Sequence, residues 1–132
     1  ITLEITESML MEKINKTTPL LKQLAMMGFL ISIDDFGTGY SSLSYLKRLP
    51  IHELKIDKSF IDAIDKNDED YAITHAIVKM AQALNLHIVA EGVESKQQLD
   101  VLQSLNCDTV QGYFYFPPLP AEKLAEIVAR QV

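Results

Sequence analysis

With a single cysteine, Cys107, among 132 residues, the chain cannot carry an internal disulfide framework. A lone thiol suits a reducing compartment and packs most simply as a small apolar side chain. These points lead us to expect a cytoplasmic domain, although the full-length protein could still be tethered to a membrane. No apolar run approaches the about eighteen residues that a membrane span requires, and Ile1-Thr2-Leu3-Glu4 lacks the basic start of a signal peptide. Basic residues are also scarce. Twelve Lys and Arg against 18 Asp and Glu give a formal net charge of -6, which disfavours DNA, RNA or anionic lipid as partners. A small phosphorylated ligand stays compatible with this charge if a cation offsets the acid. The three histidines, His52, His75 and His87, are scattered and lie outside any ligand spacing for zinc. No Gly/Ser linker, low-complexity tract or internal repeat divides the chain, so residues 1–132 read as one domain or part of one.

What the chain does have is a 48% hydrophobic composition, enough for a substantial core, organised as short apolar runs that stop at polar or acidic residues. Five such runs, 1–6, 30–35, 54–57, 87–91 and 109–113, predict strands. Helical spacing fills the gaps. Thr18-Pro19 opens one helix that Gly28 ends, Ser41 or Ser42 opens a short one that Pro50 ends, and Asp68 opens a longer one that stops near Asn85. Residues 62–70 read as a charged loop leading into that helix. Ser95 with Gln98 has the form of a capping box, and Pro120 introduces a last helix.

Alternating strands and helices predict an α/β fold of parallel strands, either doubly wound and open or closed toward a barrel. The strand patterns favour a partial TIM-like (β/α) barrel of about five strands. Leu3 and Ile5 oppose Thr2, Glu4 and Thr6, and Leu54 and Ile56 oppose Glu53, Lys55 and Asp57, so helices would cover the apolar face and leave charge pointing inward. Inward charge is tolerable at the C-terminal mouth of such a barrel, where sites form.

The strand ends present Glu4, Asp34 with Asp35, Lys55 with Asp57, Glu91 and Gln111. Singly each is weak, because an isolated Glu4 is more often solvated or salt-bridged. Converging, they could hold a hard cation, Mg2+ or Mn2+ in preference to Ca2+. Lys55 has two readings: a charge-balancing partner for the acids, or a catalytic lysine that positions or deprotonates water. Metal charge and desolvation would lower its pKa, whereas carboxylates would raise it. Asp34 and Asp35 should face opposite sides of their strand unless the chain bends there, and the following Gly37 and Gly39 permit a bend. Asp35-Phe36-Gly37 spells the metal-binding tripeptide of kinases, but the remaining kinase pattern is missing. Gly37-Thr38-Gly39 could cradle phosphate or form a plain turn.

Taken together, these residues closely resemble the EAL domain family of bacterial cyclic di-GMP phosphodiesterases. The resemblance runs through Leu3-Glu4-Ile5-Thr6-Glu7, the segment from Asp34 to Leu43, the segment from Leu54 to Phe60, Ala90-Glu91-Gly92-Val93-Glu94 and Val110-Gln111-Gly112-Tyr113. It implies a modified TIM barrel that hydrolyses cyclic di-GMP to linear pGpG with one or two Mg2+ or Mn2+ ions. In it Glu4, Asp34 and Glu91 are metal ligands, Asp35 is shared at the metal site, and Lys55 helps position or activate the water. Glu7 matches a glutamate that steadies the loop after Asp34-Asp35. That loop, Phe36, Gly37, Thr38, Gly39 and on to Ser41 and Ser42, links substrate, metals and a homodimer contact. Asp57, Glu94 and Gln111 match further polar positions around the site.

The chain contains no Glu-Ala-Leu sequence, and Pro117 stands where the family often has a basic residue. The resemblance puts a further glutamate and an asparagine ligand upstream of Ile1, which makes residues 1–132 the C-terminal portion of the barrel, inactive by itself, with regulatory domains possible further upstream. Uncovered sheet edges would then favour pairing with another chain. A non-catalytic module that binds cyclic di-GMP or a protein partner is the alternative, and an unrelated barrel enzyme acting on a phosphorylated metabolite a more distant one.

Overall fold

Each of the five apolar runs forms a strand in a computed structural model that describes residues 1–39 and 43–131. The strands are β1 (Thr2–Thr6), β2 (Leu30–Phe36), β3 (Glu53–Ile56), β4 (His87–Glu91) and β5 (Thr109–Gln111). All four pairings are parallel, and the sheet order is β1-β2-β3-β4-β5. A doubly wound sheet reverses its strand order at a switch point; strictly sequential order is the winding of a (β/α) barrel. The fold is thus a partial TIM-like α/β barrel, as the inward charge predicts.

Among the described residues the connecting helices are α1 (Glu7–Glu12), α2 (Ile14–Met26), α3 (Leu43–Leu46), α4 (Lys58–Ile61), α5 (Asp68–Ala83), α6 (Lys96–Ser104) and α7 (Ala121–Gln131). One sheet face carries Ile31, Ile33, Leu54, Ile56, Ile88 and Ala90, all buried, in a core with Leu10 of α1, Leu21 of α2, Ile77, Val78 and Ala81 of α5, and Leu99 and Leu102 of α6. Burying each such Leu or Ile contributes about 1.5–3 kcal/mol, which makes this layer the main source of cohesion. Strand alternation sends Glu4, Asp34, Lys55 and Glu91 to the other face. No helix among the described residues is long and apolar enough to cross a membrane.

Several boundaries depart from the sequence reading. Helix α2 begins at Ile14, four residues before Thr18, and contains Pro19. Pro19 is exposed, and the hydroxyl of the preceding Thr18 donates to the Ile14 carbonyl at 2.7 Å within the same turn. Two short helices, α1 and α4, carry too few residues for a periodic signal, and residues at the strand ends serve as their caps. Thr6 Oγ1 accepts from the Met9 amide at 3.4 Å, and Asp57 Oδ1 from the Ser59 amide at 2.9 Å. Asp57 therefore lies just past β3 rather than inside it. Strand β5 stops at Gln111, two residues early, since Gly112 passes so close to Val93 that a Cβ there would lie 2.1 Å from its carbonyl oxygen. The helix expected from Ser41 or Ser42 has its described part at Leu43–Leu46; its start, with Ser41 itself, lies outside the described residues.

Candidate functional site

Between β2 and β3 the register slips by one residue. Ile33 pairs with Leu54 and Phe36 with Ile56, leaving Asp34 and Asp35 together opposite Lys55. This is a β-bulge, and Asp35 supplies its kink with φ of 54°. Aspartate enters the left-handed region more readily than most residues, and here the Asp35 amide donates to Asp34 Oδ1 at 2.9 Å. The bend expected at the glycines is thus made by Asp35 itself, with Gly37 continuing it at φ 102°. As a result, Asp34, Asp35 and Glu91 each place a carboxylate oxygen within 4.8 Å of the others.

Lys55 is the hub of this rim. Its side chain crosses from β3 to β1, β2 and β4, with Nζ 3.0 Å from Glu4 Oε1, 3.5 Å from Asp34 Oδ1 and 2.8 Å from Glu91 Oε1. Burial alone would lower its pKa, but the hydrogen bonds to Glu91 and Glu4 outweigh burial and raise it. In this geometry Lys55 balances the charge of Glu4, Asp34 and Glu91 and is held as an ammonium, a form that can orient a water but not deprotonate it. Burial raises the pKa of Glu91 even though Lys55 pulls against it. Asp35 is raised by burial, then by the negative charges of Asp34 and Asp57.

Glu7 opens α1 directly after β1 and is 1% exposed. Its Oε2 accepts from the amides of Gly37 at 2.9 Å and Gly39 at 3.0 Å, clamping the turn that follows the bulge. Thr38 closes the turn, its hydroxyl donating to the Asp35 carbonyl at 2.8 Å. Phe36 departs from its expected place in the loop: it is the last residue of β2 and belongs to the apolar core. Asp57 turns one oxygen to the amide and hydroxyl of Ser59.

Beside the rim is a cleft of about 320 Å³ lined by Glu91, Glu94, Gln111 and also Lys58. Lys58 was legible only as part of a motif; here its Nζ lies 2.6 Å from Glu94 Oε1, and its methylenes lie so near Gly92 that a Cβ there would be 2.4 Å from Lys58 Cγ. The fold therefore gathers Glu4, Asp34, Asp35, Lys55 and Glu91 around one point, with Glu94 and Gln111 along the adjoining cleft. Hard carboxylate oxygens at this spacing suit Mg2+, Mn2+ or Ca2+.

A sequentially wound parallel sheet with an acidic, cation-compatible rim at its C-terminal strand ends defines a (β/α)-barrel domain of the kind that places its site there. The family model for the EAL domain matches residues 1–118, and the chain belongs to the EAL domain family. It is 52% identical over 126 residues to the cyclic di-GMP phosphodiesterase NbdA of Pseudomonas aeruginosa, covering 96% of this chain and 16% of NbdA. The solved PaMucR phosphodiesterase in complex with c-di-GMP is 52% identical with a TM-score of 0.90, over 93% of this chain and 50% of that one. Klebsiella pneumoniae BlrP1, solved as a manganese and cyclic di-GMP complex, is 33% identical with a TM-score of 0.79, over 85% of this chain and 29% of that one. The chain thus spans about a sixth of the curated relative's length.

Proposed function

We infer that residues 1–132 are the C-terminal portion of an EAL phosphodiesterase domain that hydrolyses cyclic di-GMP to linear pGpG. The observation that carries this reading is the bulge opposite Lys55, which directs Asp34 and Asp35 to the side of the sheet that holds Glu4 and Glu91. Asp34, Asp35, Glu91 and Glu4 are the residues that would hold one or two Mg2+ or Mn2+ ions. A cation bound there supplies Lewis-acid polarisation of the phosphate and a more acidic water.

The chain's own residues do the rest. An ammonium held by Glu91 and Glu4 has no lone pair to accept a proton, so Lys55 orients the water and offsets charge gathering on the phosphate. Glu7 fixes the Gly37-Thr38-Gly39 turn, and Glu94 and Gln111 border the cleft offered to the nucleotide. Asp57 sits beside Asp35, and its negative charge adds to burial and to Asp34 in raising the Asp35 pKa. Ligands upstream of Ile1 complete the site, so this portion alone is inactive. A homodimer contact near the exposed Leu43, upstream regulatory domains and a cytoplasmic location complete the reading.

The test is conversion of cyclic di-GMP to pGpG by the full-length protein, followed chromatographically with Mg2+ or Mn2+ and again with a chelator. Cation-dependent pGpG supports the reading. Tight cyclic di-GMP binding without turnover under both cations replaces it with the non-catalytic binding module.

A further inference from the structure

The capping-box residue Gln98 reaches beyond its own helix. It is 6% exposed, and its Oε1 accepts from the amides of Glu94 at 2.8 Å and Ser95 at 3.0 Å. Its own amide donates to Ser95 Oγ at 3.2 Å, completing the box. Helix capping accounts for those contacts. It does not account for the last one: Gln98 Nε2 donates at 3.2 Å to the carbonyl of Asp62, the residue that ends α4.

That bond joins the loop after β4 to the segment after β3. Glu91 ends β4 and Glu94 lies in the loop after it, while Lys55 lies in β3 and Lys58 opens α4. A second tie between them, Lys58 to Glu94, has both partners half exposed and is weakened by solvent and salt. The carboxamide of Gln98 is buried and directional. We propose that Gln98 is a positioning residue that locks the β4 loop onto the end of α4, so holding Glu91 at its distance from Lys55 and the cation-binding oxygens. This rests on the hydrolytic reading of the site, and Gln98 acts only through Glu91 and Glu94.

Gln98→Glu separates the two roles. A glutamate at this position still accepts from the Glu94 and Ser95 amides, so the capping box survives, but it faces the Asp62 carbonyl with an oxygen instead of a donor. In the full-length protein, calorimetric Mn2+ titration without substrate should show Kd raised by about 10-fold or more, with kcat lowered comparably, KM within about 3-fold and Tm within about 3 °C. A folded Gln98→Glu protein whose Mn2+ Kd and kcat both stay within about 2-fold of wild type overturns the proposal.

Should that variant not fold, Gln98→Met decides by the same Mn2+ readout. Hydrogen exchange needs no variant: Glu94 and Ser95 amides exchanging within about 10-fold of the unstructured rate in the wild-type protein would also overturn it. Cyclic di-GMP binding without turnover by the full-length wild-type protein would remove the hydrolytic reading, while the Mn2+ and exchange measurements would still judge Gln98.

Discussion

Lys55 and Glu91 stand 2.8 Å apart, Nζ to Oε1, joining the end of β3 to the end of β4 at the point where Asp34 and Asp35 also converge. The contact ties the cation-compatible carboxylates to a side chain that is 7% exposed and held charged.

Replacing Lys55 by alanine or Asp34 by asparagine removes, respectively, the ammonium and the carboxylate to which the proposed function assigns water orientation and cation binding. In the full-length protein either change should lower kcat for cyclic di-GMP by about 10²–10⁴-fold while far-ultraviolet circular dichroism stays unchanged. Near-normal turnover by either variant refutes the role assigned to that residue.

Glu7 is buried and accepts from two loop amides. Glu7→Ala leaves both donors without their carboxylate and should destabilise the domain by about 2 kcal/mol, with faster hydrogen exchange at Gly37 and Gly39. Glu7→Gln keeps one acceptor oxygen and should lose less. Unchanged exchange at both glycines in Glu7→Ala contradicts the clamp.

Two glycines should respond differently to alanine. At Gly112 a Cβ would meet the backbone oxygen and nitrogen of Val93 at 2.1 and 2.4 Å, contacts that only a backbone shift relieves. The expected loss is about 2 kcal/mol or more. At Gly28 nothing lies within 4 Å and the cost is confined to a φ of 91°, about 1 kcal/mol. Thermal unfolding should rank the wild type above Gly28→Ala and Gly28→Ala above Gly112→Ala.

Burial pushes the Cys107 thiol up to about 11, and its Sγ points to the carbonyl oxygens of Ile88 and Thr109. At pH 8 the folded protein should hold about a hundredfold less thiolate than a free cysteine and react with iodoacetamide correspondingly slowly. Urea should restore the ordinary rate. Rapid alkylation of the folded chain at that pH would contradict the burial.

The strands and the helix α5 were legible because each repeats a backbone period: two residues for Leu3, Ile5, Leu54 and Ile56, and 3.6 for Ile73, Ile77 and Met80. The short helices α1 and α4 carry too few residues to show a period, and Pro19 gave a start signal in the midst of α2. Phe36 sat among loop residues in the sequence yet completes the core, because the bulge carries it back to the apolar face.

By itself the sequence determined the family, the alternation of strands and helices, and the facing of Glu4 and Lys55, all set by local alternation and motif. Only the tertiary structure decided that Asp34 and Asp35 act on one side, that Lys55 is shared among three carboxylates, and that Gln98 reaches Asp62. Alternation follows from the geometry of one strand. Register, bulges and ties between loops depend on which distant segment lies alongside, and no local period records that.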